Sequence, residues 1–290
     1  MAFKAPPQIA EQAADTGTMK AWQSWDKTLV GAFLAGAYIA FGALLAVVVS
    51  SGLDPKTWGN IPLLITGATF TVGLMLVVIA GADLATGNMA TVGIAMLKKR
   101  VSVGRYSVHL LLALVGNLAG SLLVGYFFAY KSGILDIPIN GTRLGVIVQL
   151  KGHTESAFQI FLRAVGCNWL VCLAVWMALG AEDIGGKILA IFFPIMAFVA
   201  MGFDHVVANM FFLPAAHFAG VGGLSWGDVA NNLVFALLGN LLGAVVFVAG
   251  AYWYLYGRVT GDTPEATPQA APGNGRTEPA ATQGAVASGT

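Results

Sequence analysis

The chain has 290 residues, of which 57% are hydrophobic and 10% charged, with a mean hydropathy of +0.75 and a formal net charge of +1. A soluble domain carries about 25% charged residues, so the composition excludes an ordinary soluble protein and predicts a polytopic membrane protein. The near-zero net charge gives no indication of nucleic-acid binding. Cys167 and Cys172 both lie in an apolar stretch, and we expect buried free thiols there.

Six apolar spans follow one another, each long enough for a membrane helix of about 20 residues. They are predicted at 29–49, 61–97, 106–130, 157–180, 188–218 and 231–254, with short polar breaks at 81–86 and 201–206. Residues 1–28 precede them, and an interfacial amphipathic helix and a disordered arm are both compatible with that segment. Residues 258–290 are rich in Pro, Gly, Ala and Thr and are predicted to be a disordered tail.

Two motifs occur once in each half of the chain. Residues 81–88 and 202–209 share the pattern G-x-D-x-x-x-x-N, 121 residues apart, and residues 116–120 and 239–243 share G-N-x-x-G, 123 residues apart. The nearly equal offsets predict two three-span halves, 29–130 and 157–257. Because three is odd, the second half has inverted topology, and the two breaks are expected to meet near the middle of the membrane.

The distribution of Lys and Arg predicts the orientation. Ten lie on the side of the termini and four on the other side. Since cytoplasmic loops carry the excess of Lys and Arg, both termini are expected to be cytoplasmic.

His205 lies within the second break, and an ionisable residue at membrane depth is a functional candidate by default. The unperturbed pKa of a histidine side chain is about 6.5. Such a side chain can donate a hydrogen bond to a small anion or exchange a proton with it. A neutral histidine satisfied by backbone carbonyls is the alternative. Thr86, in the first break, offers a hydroxyl to His205 or to the substrate.

The breaks contain four further polar candidates. We expect Asp83 and Asp204 to accept backbone N–H bonds and hold the breaks in shape, in preference to contacting substrate. Asn88 and Asn209 are predicted to cap the resumed half-helices, and Asn209 is also placed on the substrate pathway. The N-termini of these half-helices carry partial positive charge, which favours anions.

Several residues outside the breaks are also candidates. Lys151 and Arg163 are cations on the way in, although Arg163 near a span end also suits snorkelling. Asn117 and Asn240 fit interhelical hydrogen bonding or pore lining. Apolar side chains beside the breaks suit a constriction that dehydrates an ion, with ordinary core packing as the alternative. These are Phe70, Leu74 and Phe198.

Five stretches together resemble the formate/nitrite transporter family, and the resemblance covers about residues 25–257. They are residues 36–42, 80–88, 167–176, 202–210 and 239–243. The resemblance implies an all-α, aquaporin-like fold with six spans, two of them broken, in a homopentamer with one pore per subunit. It implies transport of small monovalent weak-acid anions, chiefly nitrite and formate, in the inner membrane of a bacterium or archaeon.

The resemblance also assigns roles to individual residues. The central histidine of the family matches His205, and the loop threonine matches Thr86. A vestibule lysine matches Lys151. The constriction residues match Phe70, Leu74, Leu84 and Phe198.

The chain departs from the family pattern at the breaks. The family has Glu-Leu-Phe-Thr where this chain has residues 83–86, so Ala85 replaces an aromatic residue at the constriction. The family has Glu before the central histidine, where this chain has Asp204. The span beginning at Ile61 and the closing residues 251–254 resemble the nitrite-channel branch most.

Other functions remain as alternatives. A channel or proton-coupled carrier for hydrosulfide, acetate or lactate would belong to the same family, and an aquaporin-like neutral-solute facilitator would belong to another class. The sequence has no Asn-Pro-Ala triplet, which weighs against the facilitator, and no metal-ligand spacing, G-x-S-x-G motif or phosphate-binding loop. We therefore predict that the protein is a transporter and not an enzyme, and that it needs no cofactor or metal. A membrane protein with a purely structural role is the last alternative.

Overall fold

The computed structural model describes residues 3–258, so nearly all of the tail predicted at 258–290 lies outside the described residues. The described part contains eleven α-helices and no β-strand. They are α1 (Pro6–Trp22), α2 (Trp25–Ser50), α3 (Pro55–Trp58), α4 (Ile61–Ala80), α5 (Ala85–Leu97), α6 (Val103–Leu123), α7 (Pro138–Gln149), α8 (Ala157–Gly180), α9 (Ile184–Ala200), α10 (Val206–Phe218) and α11 (Trp226–Ala244). Wider π-type turns continue α6, α7 and α11 at Val124–Lys131, Leu150–Thr154, Val245–Gly250 and Trp253–Gly257.

The chain is an all-α polytopic membrane protein. Five helical segments among the described residues are long and apolar enough to cross a membrane, with mean hydropathies of 1.8 to 2.4. They are Trp25–Ser50, Ile61–Ala80, Val103–Lys131, Ala157–Gly180 and Trp226–Gly257. The remaining predicted span, 188–218, is divided between α9 and α10, which have 17 and 13 residues.

Both predicted helix breaks are present. α4 ends at Ala80 and α5 begins at Ala85, while α9 ends at Ala200 and α10 begins at Val206. Gly81 and Gly202 follow the two upstream helices with φ of 83° and 71°. This left-handed conformation strains any residue with a Cβ, so glycine at these two positions ends each helix sharply.

Four predicted spans start too late. α2, α6, α9 and α11 begin four, three, four and five residues before the predicted 29, 106, 188 and 231. In the last three, a polar side chain caps the first turn, so the helix begins before the apolar stretch. The capping residues are Ser102, Asp183 and Ser225.

The predicted spans 106–130 and 157–180 leave residues 131–155 as a polar loop between them, and this expectation is wrong in part, because the segment contains α7. Pro138 occupies the first turn, where its missing N–H costs nothing. Leu144 and Val148, four residues apart on one face, are fully buried. A short amphipathic helix of this kind has too few apolar residues to stand out in a search for membrane spans.

The helix packing is similar in the two halves of the chain. α2 packs against α4 and α6, α8 packs against α9 and α11, and α4 meets α9 between them. The second glycine of each G-N-x-x-G motif permits this approach. A Cβ at Gly120 would lie 2.0 Å from Phe33 O, and one at Gly243 would lie 2.3 Å from Val165 O. These contacts join α6 to α2 and α11 to α8.

The N-terminal segment forms a helix that packs on the rest of the chain. α1 buries Ala10, Ala13 and Ala14 and lies against α5 and α8. Its Glu11 forms ion pairs with Lys98 and Arg100 beyond the end of α5. This position brings the last turn of α1 to the first helix break.

Candidate functional site

Each helix break is pinned by an asparagine from a neighbouring helix. Asn117 Oδ1 accepts from the backbone N of Ala85 at 2.9 Å, and Asn117 Nδ2 donates to Asp83 O at 3.0 Å. At the other break, Asn240 Oδ1 accepts from the backbone N of Val206 at 2.8 Å, and Nδ2 donates to Asp204 O at 2.9 Å. Both asparagines are fully buried and line neither cavity described below. They supply partners for backbone groups that hydrocarbon could not satisfy.

Asn88 and Asn209 do not cap the half-helices, contrary to the prediction. Each is the fourth residue of its helix, where the backbone N–H already has a partner one turn back. Their side-chain amides instead donate to carboxylates, Asn88 to Asp83 Oδ1 at 3.1 Å and Asn209 to Asp204 Oδ1 at 2.8 Å. The prediction that the aspartates accept backbone N–H bonds is also wrong, because the donors that reach their carboxylates are side chains.

A lysine completes each of these clusters. Lys151 Nζ lies 2.9 Å from Asp204 Oδ1, and Lys20 Nζ lies 2.9 Å from Asp83 Oδ1. Lys20 belongs to the last turn of α1 and was missed by the sequence reasoning. The signal that could have found it is positional, because each lysine precedes the first long helix of its half.

Two cavities lie on either side of the breaks. The Lys151 chamber, of about 130 Å³, is lined by Lys151, Phe70, Phe198, His205 and Asn209 among others. The Lys20 chamber, of about 280 Å³, is lined by Lys20, Asp83, Asn88, Leu74 and Leu84 among others. The residues predicted to form a constriction therefore divide into an aromatic pair in one chamber and a leucine pair in the other.

The wall between the chambers is apolar and tightly packed. The rings of Phe70 and Phe198 meet edge to face with centroids 5.8 Å apart. Leu74 is one turn beyond Phe70 on α4, and all four of these side chains, including Leu84, are at most 3% exposed. An ion passing here would lose most of its water.

Ala85 does not reach this wall. It is fully buried in a small cluster with Ala32 and Ala113, and it lines neither chamber. Its backbone N is held by Asn117. The side chain of Ala85 therefore points away from both chambers. The expectation that it forms part of the constriction is wrong.

His205 and Thr86 join the two breaks. The imidazole Nε2 lies 2.8 Å from Thr86 Oγ1, and Nδ1 accepts from the backbone N of Ala208 at 3.2 Å. Because Nδ1 is an acceptor, the neutral ring carries its hydrogen on Nε2 and donates it to the threonine. The Thr86 hydroxyl then has its own hydrogen free to donate. This contact also brings the N-termini of α5 and α10 together.

The profile of the formate/nitrite transporter family matches residues 7–254 of the chain.

The chain belongs to the formate/nitrite transporter family.

Among relatives of this transporter, an uncharacterized transporter of Bacillus subtilis (YrhG) is 46% identical over 88% of the chain and 95% of its own length. A probable formate transporter of Methanothermobacter thermautotrophicus is 43% identical over 88% of the chain and 97% of its own length. The nitrite transporter NirC of Salmonella typhimurium is 35% identical over 78% of the chain and 81% of its own length.

Two solved structures are similar to the transporter. An ion channel of the same family superposes with a TM-score of 0.79 and 32% identity, covering 86% of this chain and 98% of that one. A pentameric formate channel with formate bound superposes with a TM-score of 0.70 and 29% identity, covering 81% of this chain and 98% of that one.

Glu155 is a second functional candidate that the sequence reasoning missed. Its carboxylate accepts from Arg163 at 2.6 Å, so Arg163 is tied to the Lys151 side of the transporter. Its other oxygen, Oε2, is buried without a donor, as is Oδ2 of Asp204. Burial and the neighbouring Asp204 carboxylate together raise the pKa of Glu155 to about 8, against the opposing positive charges of Lys151 and Arg163.

This raised pKa predicts the sign of a pH effect on stability. Between the ordinary glutamate pKa and about 8, the folded transporter holds a proton on Glu155 that the unfolded chain releases. The stabilisation is full at acidic pH and is lost as the pH rises through about 8. We expect Glu155→Gln to flatten the fall in melting temperature over this range, measured in detergent, and the exposed Glu182→Gln to leave it unchanged. An unaltered fall in Glu155→Gln would contradict the assignment.

Proposed function

We propose that the chain forms a membrane pore for small monovalent anions of weak acids, with formate and nitrite as its substrates. One observation carries the proposal, the contact between His205 and Thr86 at the meeting of two half-helix N-termini. Chambers containing Lys151 and Lys20 lie on either side of it. The path has a cation at each entrance, partial positive charge at its centre and an apolar wall between the two chambers. This arrangement suits an anion that loses its water for a short part of the path.

The proposed path has three steps. Lys151 attracts the anion into its chamber, where the pair Phe70 and Phe198 removes water from it. Loss of solvation raises the affinity of the anion for a proton. The Thr86 hydroxyl, oriented by His205, donates a hydrogen bond to the anion, a proton from the outside solution neutralises the anion, and the substrate crosses in a neutral or nearly neutral form.

The names of the relatives favour formate as the first anion to test. The relative named for formate is more similar to this chain, at 43% identity, than the relative named for nitrite, at 35%. Hydrosulfide, acetate and lactate are the alternative substrates of the same pore. We keep nitrite beside formate because both are planar, bear one charge and present two oxygen atoms.

We further propose the assembly and orientation. The chain forms a homopentamer, by analogy with the pentameric formate channel that it resembles. Its two halves, 29–130 and 157–257, form an aquaporin-like inverted repeat of six spans, which the matching clusters around Asp83 and Asp204 support. The excess of Lys and Arg supports a cytoplasmic location for α1 and both termini, in the inner membrane of a bacterium or archaeon. Lipid would then contact the exposed apolar helix faces.

The test is uptake into proteoliposomes of formate, nitrite, hydrosulfide and glycerol side by side, at outside pH values on either side of about 6.5, the unperturbed histidine pKa. Protein-free liposomes correct for undissociated acid that crosses the lipid. We expect saturable uptake of formate and nitrite, faster at acidic pH. Rapid glycerol permeation without any anion uptake would overturn the proposal in favour of a neutral-solute facilitator.

A further inference from the structure

Arg143 reaches the Lys151 chamber from α7. Its Nε donates to Ser50 Oγ at 2.8 Å, and its Nη2 donates to Thr66 Oγ1 at 2.9 Å. Arg143 is half-buried, and it is one of the residues that line the chamber. Ser50 is the last residue of α2 and Thr66 lies in the second turn of α4, so Arg143 spans the chamber end of these two helices.

The two hydroxyls hold the guanidinium in a fixed orientation. Ser50 Oγ donates its own hydrogen to Ala46 O at 2.7 Å, and Thr66 Oγ1 donates its hydrogen to Pro62 O at 2.6 Å. Each hydroxyl hydrogen is thus used within its own helix. Only lone pairs face Arg143, which matches a group that can donate but not accept.

Arg143 also differs in charge balance from Lys151, the other cation that lines this chamber. Lys151 is paired with Asp204. Within residues 3–258, no carboxylate lies within ion-pair distance of Arg143. Neutral hydroxyls satisfy hydrogen bonds without cancelling charge, and a guanidinium stays protonated in proteins, so its positive charge is uncompensated there.

The free edge of the guanidinium suits a particular anion shape. Of its five N–H groups, those on Nε and one on Nη2 are engaged, and Nη1 has no partner among the described residues. The remaining Nη1 and Nη2 hydrogens form the edge that binds a carboxylate through two parallel hydrogen bonds. An anion with a single acceptor atom, such as hydrosulfide, cannot accept two parallel hydrogen bonds on two separate atoms.

The position along the path suits an entry site. Thr66, which holds Arg143, is four residues before Phe70 on α4, so the two share a face one helical turn apart. Phe70 and its ring partner Phe198 line the same chamber. An anion bound to Arg143 would therefore still be hydrated on one side and would face the apolar wall next.

We propose that Arg143 forms an entry subsite that binds planar two-oxygen anions through the Nη1/Nη2 edge of its guanidinium group and favours them over anions with a single acceptor atom. This inference rests on the proposed function, because it names the anion shape that the proposed pore selects. Lysine at this position keeps the charge and loses the paired contact, whereas glutamine loses both.

The test compares half-saturating concentrations of formate and hydrosulfide in proteoliposomes for wild type, Arg143→Lys and Arg143→Gln. In Arg143→Lys we expect the value for formate to rise about tenfold and that for hydrosulfide to change less than about twofold, because only formate loses its paired contact. In Arg143→Gln both values should rise, and their dependence on ionic strength should weaken. An unchanged formate-to-hydrosulfide ratio in Arg143→Lys overturns the inference.

Thr66→Val is the matched control for a purely structural role, because it removes one anchor of Arg143 and keeps the charge. If Arg143 only tethers α7, Thr66→Val and Arg143→Gln should lower the melting temperature and the uptake of both anions alike, which also overturns the inference. If both Arg143 variants fail to fold, a rise confined to formate in Thr66→Val supports the inference and no rise contradicts it. If the wild-type protein takes up neither anion, the proposed function itself is wrong. This result differs from those that overturn only the inference about Arg143.

Discussion

Replacing His205 by asparagine is expected to remove the pH dependence of formate uptake and to slow uptake at acidic pH at least about tenfold. Asparagine is a good helix cap, so its side-chain oxygen can accept from the backbone N of Ala208 as Nδ1 of His205 does. The shorter amide loses the imidazole and its bond to Thr86 Oγ1. The anion then meets a hydroxyl that is no longer oriented, and the acid-dependent neutralisation of the anion at this contact is lost.

The measurement is the ratio of initial formate uptake at about pH 5.5 to that at about pH 7.5, on either side of the unperturbed histidine pKa of about 6.5, after subtraction of protein-free liposomes. The ratio should fall close to one in His205→Asn. The matched control is His217→Asn, which lies at the far end of the same helix, bonded to Leu224 O at 2.9 Å, and should keep the wild-type ratio. A His205→Asn protein with unchanged pH dependence would remove the histidine from the mechanism.

Replacing Asp204 by alanine is expected to destabilise the protein by about 3–5 kcal/mol, because it leaves the Lys151 ammonium buried without its partner. Asp204 is fully buried, and the Lys151 side chain is 8% exposed. Removing Asp204 also leaves the amides of Asn209 and Asn232 without their shared acceptor oxygen. The loss of stability is measured by heating the protein in detergent and determining by gel filtration how much of it remains folded at each temperature.

Two further variants separate charge from shape in this cluster. The double variant Lys151→Met with Asp204→Asn carries no buried charge and keeps an acceptor for Asn209, so it should recover most of the stability but bind anions more weakly. Asp83→Ala is the matched control in the other half. Its partner Lys20 is 23% exposed and can turn to water, so the loss there should be smaller. Asp204→Ala protein as stable as wild type would contradict this account.

The sequence was sufficient to predict the two helix breaks. Two motifs, each repeated at nearly the same offset, predicted that residues 81–86 and 201–206 interrupt helices, and the structure has breaks in both places. Polar residues in an apolar stretch are a strong local signal, because hydrocarbon tolerates them only where the protein supplies partners. The resemblance to the formate/nitrite transporter family then supplied the kind of substrate.

The partners of those residues could not be predicted from the sequence. Asn117 and Asn240 hold the breaks because α6 and α11 lie beside α2 and α8, and that proximity is a property of the packed helices. Lys20 reaches Asp83 only because α1 folds back onto α5. Arg143 lies between two predicted spans, and the helix that carries it, α7, has too few apolar residues to be recognised in the sequence.

The central claim is that anions cross each subunit by passing between the Lys151 chamber and the Lys20 chamber. The most direct test compares formate uptake by two variants, Leu74→Trp and Leu76→Trp. Leu74 is 1% exposed in the wall between the chambers, whereas Leu76, two residues along α4, is 38% exposed on the opposite face. Gel filtration first establishes that both variants fold. Tryptophan at 74 should fill the path and lower uptake at least about tenfold, while tryptophan at 76 should leave uptake near wild type. Folded Leu74→Trp protein that takes up formate as fast as wild type would show that the anion crosses elsewhere.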